Sequence, residues 1–200
     1  MNISDKGLAA LIAEEGEVLR AYRDVAGVWT IGAGLTAASG VVKPVAGMTI
    51  TREQSRAHLR EAIERNYAPA VRKRLGDQPQ HVFDAALSFH FNTGAIGRAT
   101  WVTRYLQGDL VAAEAAFKTW NRAGGRVVKG LTDRRAREWA MLAHGRYPAS
   151  SSTTKIAIAS AAAIVAPSSA AAIDWRLGVV VLIAAATGIA IWRWRKTRSG

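Results

Sequence analysis

The chain has 200 residues, half of them hydrophobic, with a formal net charge of +12 and no cysteine. The missing cysteine excludes disulfides, thiolate catalysis and thiolate metal sites together. The basic excess favours a polyanionic partner, but the arginines are scattered over several predicted helices without a nucleic-acid motif, so nucleic acid is not expected among the partners.

Residues 1–148 carry 21 basic against 14 acidic side chains and have the periodic apolar positions of a globular domain. Leu8, Leu11 and Ile12 lie at helical spacing, predicting a helix over about 5–15 that Gly16 stops. The apolar run 7–13 is too short for a cleaved signal peptide and is followed directly by Glu14 and Glu15, so no such signal is expected. From Leu19 to Gly34 the residues become strand-like (Tyr22, Val28, Trp29, Ile31), with a turn at Asp24–Gly27, predicting a small antiparallel hairpin or meander. Everything after Gly47 reads as helical. Thr51 with Gln54 forms a capping box, opening a helix that runs to about Leu75. Further helices are predicted over about 79–92, 98–107, 109–122 and 132–144, separated by Gly94, Gly108, Gly124-Gly125 and Gly130 and closed by Gly145. One early helix, a small sheet and a helical remainder make a predominantly helical α+β protein with two lobes.

Within the first 30 residues, two carboxyls stand in opposed settings. Glu15 ends the first helix, where the negative end of the helix dipole disfavours the ionised form. Asp24 sits in a polar turn that suits an ionised carboxylate. Glycoside hydrolysis needs such a pair, one to protonate the leaving oxygen and one to handle water or the sugar cation. Taken alone, the pair fits two ordinary surface acids better.

The neighbouring residues decide between these readings. The string from Glu15-Gly16 through Ala21-Tyr22-Arg23-Asp24 to Gly27-Val28-Trp29-Thr30-Ile31-Gly32-Ala33-Gly34 resembles the catalytic stretch of phage-type lysozymes, glycoside hydrolase family 24. That family places Glu, eight residues, Asp or Cys, five residues, then Thr; the pattern falls on Glu15, Asp24 and Thr30, and excludes Glu14. Ser88–Gly94 resembles the family's Phe-Asn-x-Gly helix end, and Gly130-Leu131-Thr132-Asp133-Arg134-Arg135-Ala136-Arg137-Glu138 its Gly-Leu-x-x-Arg-Arg-x-x-Glu segment.

The resemblance implies a two-lobed lysozyme-like fold and hydrolysis of the β-1,4 bond between N-acetylmuramic acid and N-acetylglucosamine in peptidoglycan, for host-cell lysis by a phage or prophage, with local wall remodelling by a cell as the alternative. Glu15 would be the general acid. Asp24, with Thr30 nearby, would activate the attacking water and invert the anomeric centre, which requires carboxyls roughly 6.5–9.5 Å apart. Arg134 resembles the family arginine that reaches back to the catalytic glutamate, while Phe91 and Asn92 are candidates to line the sugar cleft, or else to pack and to cap. The family implies no metal or organic cofactor, and the histidines at 58, 81, 90 and 144 form no ligand pattern. Leu35 stands where many members have histidine, which affects local stability more than chemistry. A non-catalytic wall-binding or membrane-scaffold protein of this fold and a lytic transglycosylase are the competing readings. The complete Glu15/Asp24/Thr30 set argues against the first, and Asp24, which a transglycosylase does not need, against the second.

At residue 149 the composition changes. A Ser/Ala-rich linker is expected over 149–173, uncharged from Ile156 to Ile173 and interrupted by Pro167, with a second membrane segment as its alternative. Over 174–200 a transmembrane helix is expected, with 16 uncharged residues from Leu177 to Trp192, tryptophans at both ends and four basic residues after it. A monomer held on the bacterial inner membrane and acting on the wall from the periplasm is the expectation for one span; with two, the enzyme would face the cytoplasm.

Overall fold

The computed structural model describes residues 1–148. The linker expected over 149–173 and the transmembrane helix expected over 174–200 lie outside the described residues. Among those described, no helix is long and apolar enough to cross a membrane.

The first helix, α1 (Asp5–Glu15), begins where Ser4 caps it, its hydroxyl accepting from the Gly7 amide, and stops at Gly16, whose N–H returns to the Ile12 carbonyl. A three-stranded antiparallel sheet follows: β1 (Val18–Arg23), β2 (Trp29–Gly32) and β3 (Leu35–Thr36), in that order. Tyr22 faces Thr30 and Arg23 faces Trp29 across β1 and β2, while Thr30 faces Thr36 across β2 and β3. One face covers a small hydrophobic cluster of Ala21, Ile31 and Ile50. The meander expected over 19–34 is present with its turn at Asp24–Gly27, closed by Gly27 N–H donating to the Asp24 carbonyl at 2.9 Å.

The remainder is helical: α2 (Arg52–Asn66), α3 (Ala68–Leu75), α4 (Gln80–Thr93), α5 (Thr100–Leu106), α6 (Leu110–Lys118) and α7 (Lys129–His144). The Thr51–Gln54 capping box forms as expected. The second hydrophobic cluster, much the larger, is centred on α4, which contributes Val82, Phe83, Leu87, Phe89 and Phe91. Phe89, Trp101, Phe117 and Trp120 meet edge-on or tilted at centroid distances of 5.0–5.3 Å, a geometry aromatic rings favour.

Three boundaries differ from the sequence expectation. The helix expected over 51–75 breaks at Tyr67, because Pro69 in the first turn of α3 has no N–H to continue the ladder and would collide with the preceding turn. The helix expected over 109–122 ends at Lys118 and gives way to a hairpin of β4 (Arg122–Ala123) and β5 (Arg126–Val127). Gly124 and Gly125 form its two-residue loop with φ of 55° and 77°, as a primed hairpin turn demands. Gly130, expected as a separator, lies inside α7, which starts three residues earlier than expected.

Candidate active site

Glu15 is the last residue of α1, and its side chain is only 5% exposed. Its Oε1 is paired with Arg134 Nη1 at 2.7 Å, so the first turns of α7 are brought onto the end of α1. The Arg134 side chain is itself 3% exposed. Burial alone would weaken the proton affinity of its guanidinium. The charges of Glu15 and Glu138 outweigh that effect and push it up, so Arg134 is a permanent cation.

Arg134 belongs to a larger sealed network. Its Nε reaches Glu138 Oε1 at 2.9 Å, and Arg135 Nε reaches Glu138 Oε2 at 2.9 Å. Ser88 Oγ donates to Glu138 Oε1 at 2.7 Å, and Arg134 Nη2 donates to the Ser88 carbonyl at 3.3 Å. Arg135 Nη2 donates to Asn92 Oδ1 at 2.9 Å, while its guanidinium lies 5.3 Å from the Phe89 ring centroid. For Arg135 burial dominates and pulls the proton affinity down, with Glu138 opposing it.

Asp24 occupies the β1–β2 turn and is partly exposed. Its Oδ1 accepts from the Ala26 and Val28 amides at 2.9 and 2.8 Å, which orients the carboxyl and leaves Oδ2 without a described hydrogen bond. Thr30 lies on β2 at 2% exposure, with its hydroxyl donating to the Val28 carbonyl at 3.1 Å. Asp24 and Thr30 are thus joined through the backbone of Val28. Glu14 points elsewhere: Arg137 grips both its oxygens at 2.6 and 2.8 Å, a second tie between α1 and α7.

Phe91 and Asn92 both lie inside. Phe91 is 7% exposed with its ring 4.8 Å from that of Tyr67, and the Asn92 oxygen is occupied by Arg135. Tyr67, at the α2–α3 break, is pushed up to about 12, first by burial and then by the charge of Glu15. His90 packs edge-on to Tyr67 at 5.6 Å, and burial holds it down at about 4.

Glu138, Arg135 and Ser88 stand within the two family-like segments, but the sequence reading assigns them no role in the site. The signal was available, since Arg134 and Arg135 lie four and three residues before Glu138, spacings that put all three on adjoining helix faces. Tyr67 has no comparable signal, because it comes near Glu15 only through the break at Pro69.

The model of the family described as phage lysozyme matches residues 13–138. The endolysin of Salmonella phage P22 is 37% identical over 146 residues, covering 70% of this chain and 97% of that protein. The endolysin of Bacillus phage PZA is 34% identical over 150 residues, covering 72% of this chain, which spans only 56% of that protein's length. Among solved structures, an endolysin from Escherichia coli O157:H7 phage FAHEc1 superposes with a TM-score of 0.64 at 34% identity, covering 74% of this chain and 97% of its own. Sequence match and fold agree, and the chain belongs to the phage lysozyme family.

Proposed function

We propose that this phage lysozyme hydrolyses the β-1,4 bond between N-acetylmuramic acid and N-acetylglucosamine, with Glu15 as general acid and Asp24, assisted by Thr30, directing the attacking water. The observation that carries the assignment is the contrast between the carboxyls. Glu15 is nearly sealed and has one cationic partner, whereas Asp24 sits in an open turn with one oxygen held by two backbone amides. A proton donor benefits from exclusion of water; a water-directing base needs access to it.

In this mechanism the leaving oxygen takes the Glu15 proton as the glycosidic bond breaks, and Asp24 receives a proton from the water that attacks the opposite face of the sugar. Thr30 fixes the carbonyl of Val28, whose amide orients Asp24. Arg134 holds Glu15 in place and steadies the carboxylate left behind. Phe91 and Asn92 support the site from behind, one through Tyr67 and the other through Arg135.

Product analysis tests the reaction type. Digestion of purified peptidoglycan in H₂¹⁸O is expected to yield muropeptides with a reducing muramic acid end carrying the label, initially as the inverted anomer by proton NMR. A 1,6-anhydro product would instead establish a lytic transglycosylase.

We further propose attachment to a membrane through the uncharged stretch from Leu177 to Trp192, on the strength of its composition. Full-length protein is then expected to stay with inner membranes through high-salt and carbonate washing. Release by salt would leave only electrostatic adhesion.

A further inference from the structure

Glu15 and Arg134 are part of a four-charge cluster closed to solvent. Arg134, Arg135 and Glu138 have side-chain exposures of 3%, 0% and 2%. With Glu15 ionised, the two cations and two anions balance. A general acid, however, must begin its cycle protonated, and two adjacent buried guanidiniums unopposed would strongly favour the carboxylate. Glu138 is placed to oppose this, cutting the positive charge that faces Glu15 from two to one: its two oxygens meet the Nε atoms of both arginines, and Ser88 Oγ fixes one of those oxygens.

We propose that Glu138 is a positioning residue for the hydrolytic reaction, holding Arg134 Nη1 beside Glu15 and offsetting part of the cationic field that acts on the Glu15 carboxyl. The inference rests on Glu15 being the general acid. Glu138 acts through Arg134 and touches no substrate. The other charged or titratable groups around Glu15 do not duplicate this role. Glu14 on α1 is engaged by Arg137 of α7. Tyr67 at the α2–α3 break stays protonated up to about 12, and His90 on α4 stays neutral down to about 4.

The test uses the full chain and reads Glu15 directly. Carboxyl ¹³C NMR titration of glutamate-labelled protein, with the Glu15 resonance assigned by its loss in E15Q, is run on native protein, E138Q and R135M. Glu138→Gln removes a negative charge, so the Glu15 midpoint is expected to move down by about one pH unit or more. Arg135→Met removes a positive charge, so the midpoint is expected to move up. The high-pH limb of kcat/KM on cell walls should follow in each case.

Loss of packing alone would not produce shifts of opposite sign. An unchanged midpoint in either folded variant, or a shift in the opposite direction, overturns the proposal. Removing one partner of a buried pair is costly, and if E138Q fails to fold, R135M and R135M/E138Q carry the test: the double variant, which loses one charge of each sign, is expected to titrate below R135M, and equal midpoints overturn the proposal. If the midpoints move as expected but the activity limb does not, the assignment of Glu15 as general acid falls while the field set by Glu138 stands.

Discussion

Asp84 is 1% exposed and accepts four hydrogen bonds that tie three separate parts of the chain. Its Oδ1 receives Ser4 N–H at 3.0 Å and Gln80 Nε2 at 2.9 Å; its Oδ2 receives Ser4 Oγ at 2.5 Å and Tyr147 Oη at 2.7 Å. It therefore fastens the start of α1, the helix that ends at Glu15, and the segment after α7 to α4. Bonds to an ionised acceptor contribute about 1.5–3 kcal/mol each in favourable cases. Ser4 and Tyr147 are only half-buried and Gln80 is exposed, so water recovers much of that in a truncated variant. Asp84→Ala is accordingly expected to cost about 3 kcal/mol, or roughly 6–12 °C in Tm for a domain of this size. Asp84→Asn keeps the shape, and its amide meets two hydroxyls that rotate to accept, so its cost should be nearer 1 kcal/mol.

The same carboxylate explains Gly7, where an added Cβ would lie 2.4 Å from Asp84 Cγ. Gly7→Ala is expected to cost about 2–3 kcal/mol by overpacking. Combined with Asp84→Ala, which makes room for the methyl, its further cost should largely vanish. Urea denaturation monitored by tryptophan fluorescence measures all four variants. Equal losses for Asp84→Ala and Asp84→Asn, or full additivity with Gly7→Ala, would refute this account of the junction.

Three further outcomes are expected. His90 is held neutral to about 4, so between pH 6.5 and 4 the unfolded chain binds a proton that the folded one does not; stability should fall by roughly 3 kcal/mol as pH drops through that window, and urea titrations of His90→Gln should show a visibly flatter dependence. Glu14→Gln breaks the paired contact with Arg137, which is 46% exposed, so it should cost about 0.5–1 kcal/mol in denaturation while wall-lytic activity persists. Asp24→Asn retains an oxygen for the Ala26 and Val28 amides, so the turn should survive with an unchanged circular dichroism spectrum while kcat falls at least about 100-fold.

Much of this fold is written locally in the chain. The Thr51–Gln54 box and the glycines after Glu15, Thr93 and His144 are short-range signals that need no tertiary context, and each marks an element end where expected. The misplaced boundaries had local causes too, in Pro69 and the Gly124-Gly125 loop, but these compete with helical periodicity on either side. The positions of Glu15, Asp24 and Thr30 were legible because the family spacing runs through one helix end and one turn. The family resemblance also points to Arg134 reaching back to Glu15, as it does; the rest of the network is not legible, because it depends on α7 returning from more than 100 residues away to lie against α1 and α4. Sequence marks Arg134 and Glu138 as neighbours on a helix, yet only packing shows that both are buried and that Asn92 serves Arg135.

The central claim is that a single buried carboxyl donates the proton. Glu15→Gln keeps the side-chain volume and removes the titrating proton, so the measurement is turnover of purified peptidoglycan by folded E15Q protein, with E14Q alongside. The expected result is at least a 100-fold loss of kcat for E15Q and near-native turnover for E14Q, on the order that general acid catalysis contributes. Near-native turnover by folded E15Q protein would contradict the account.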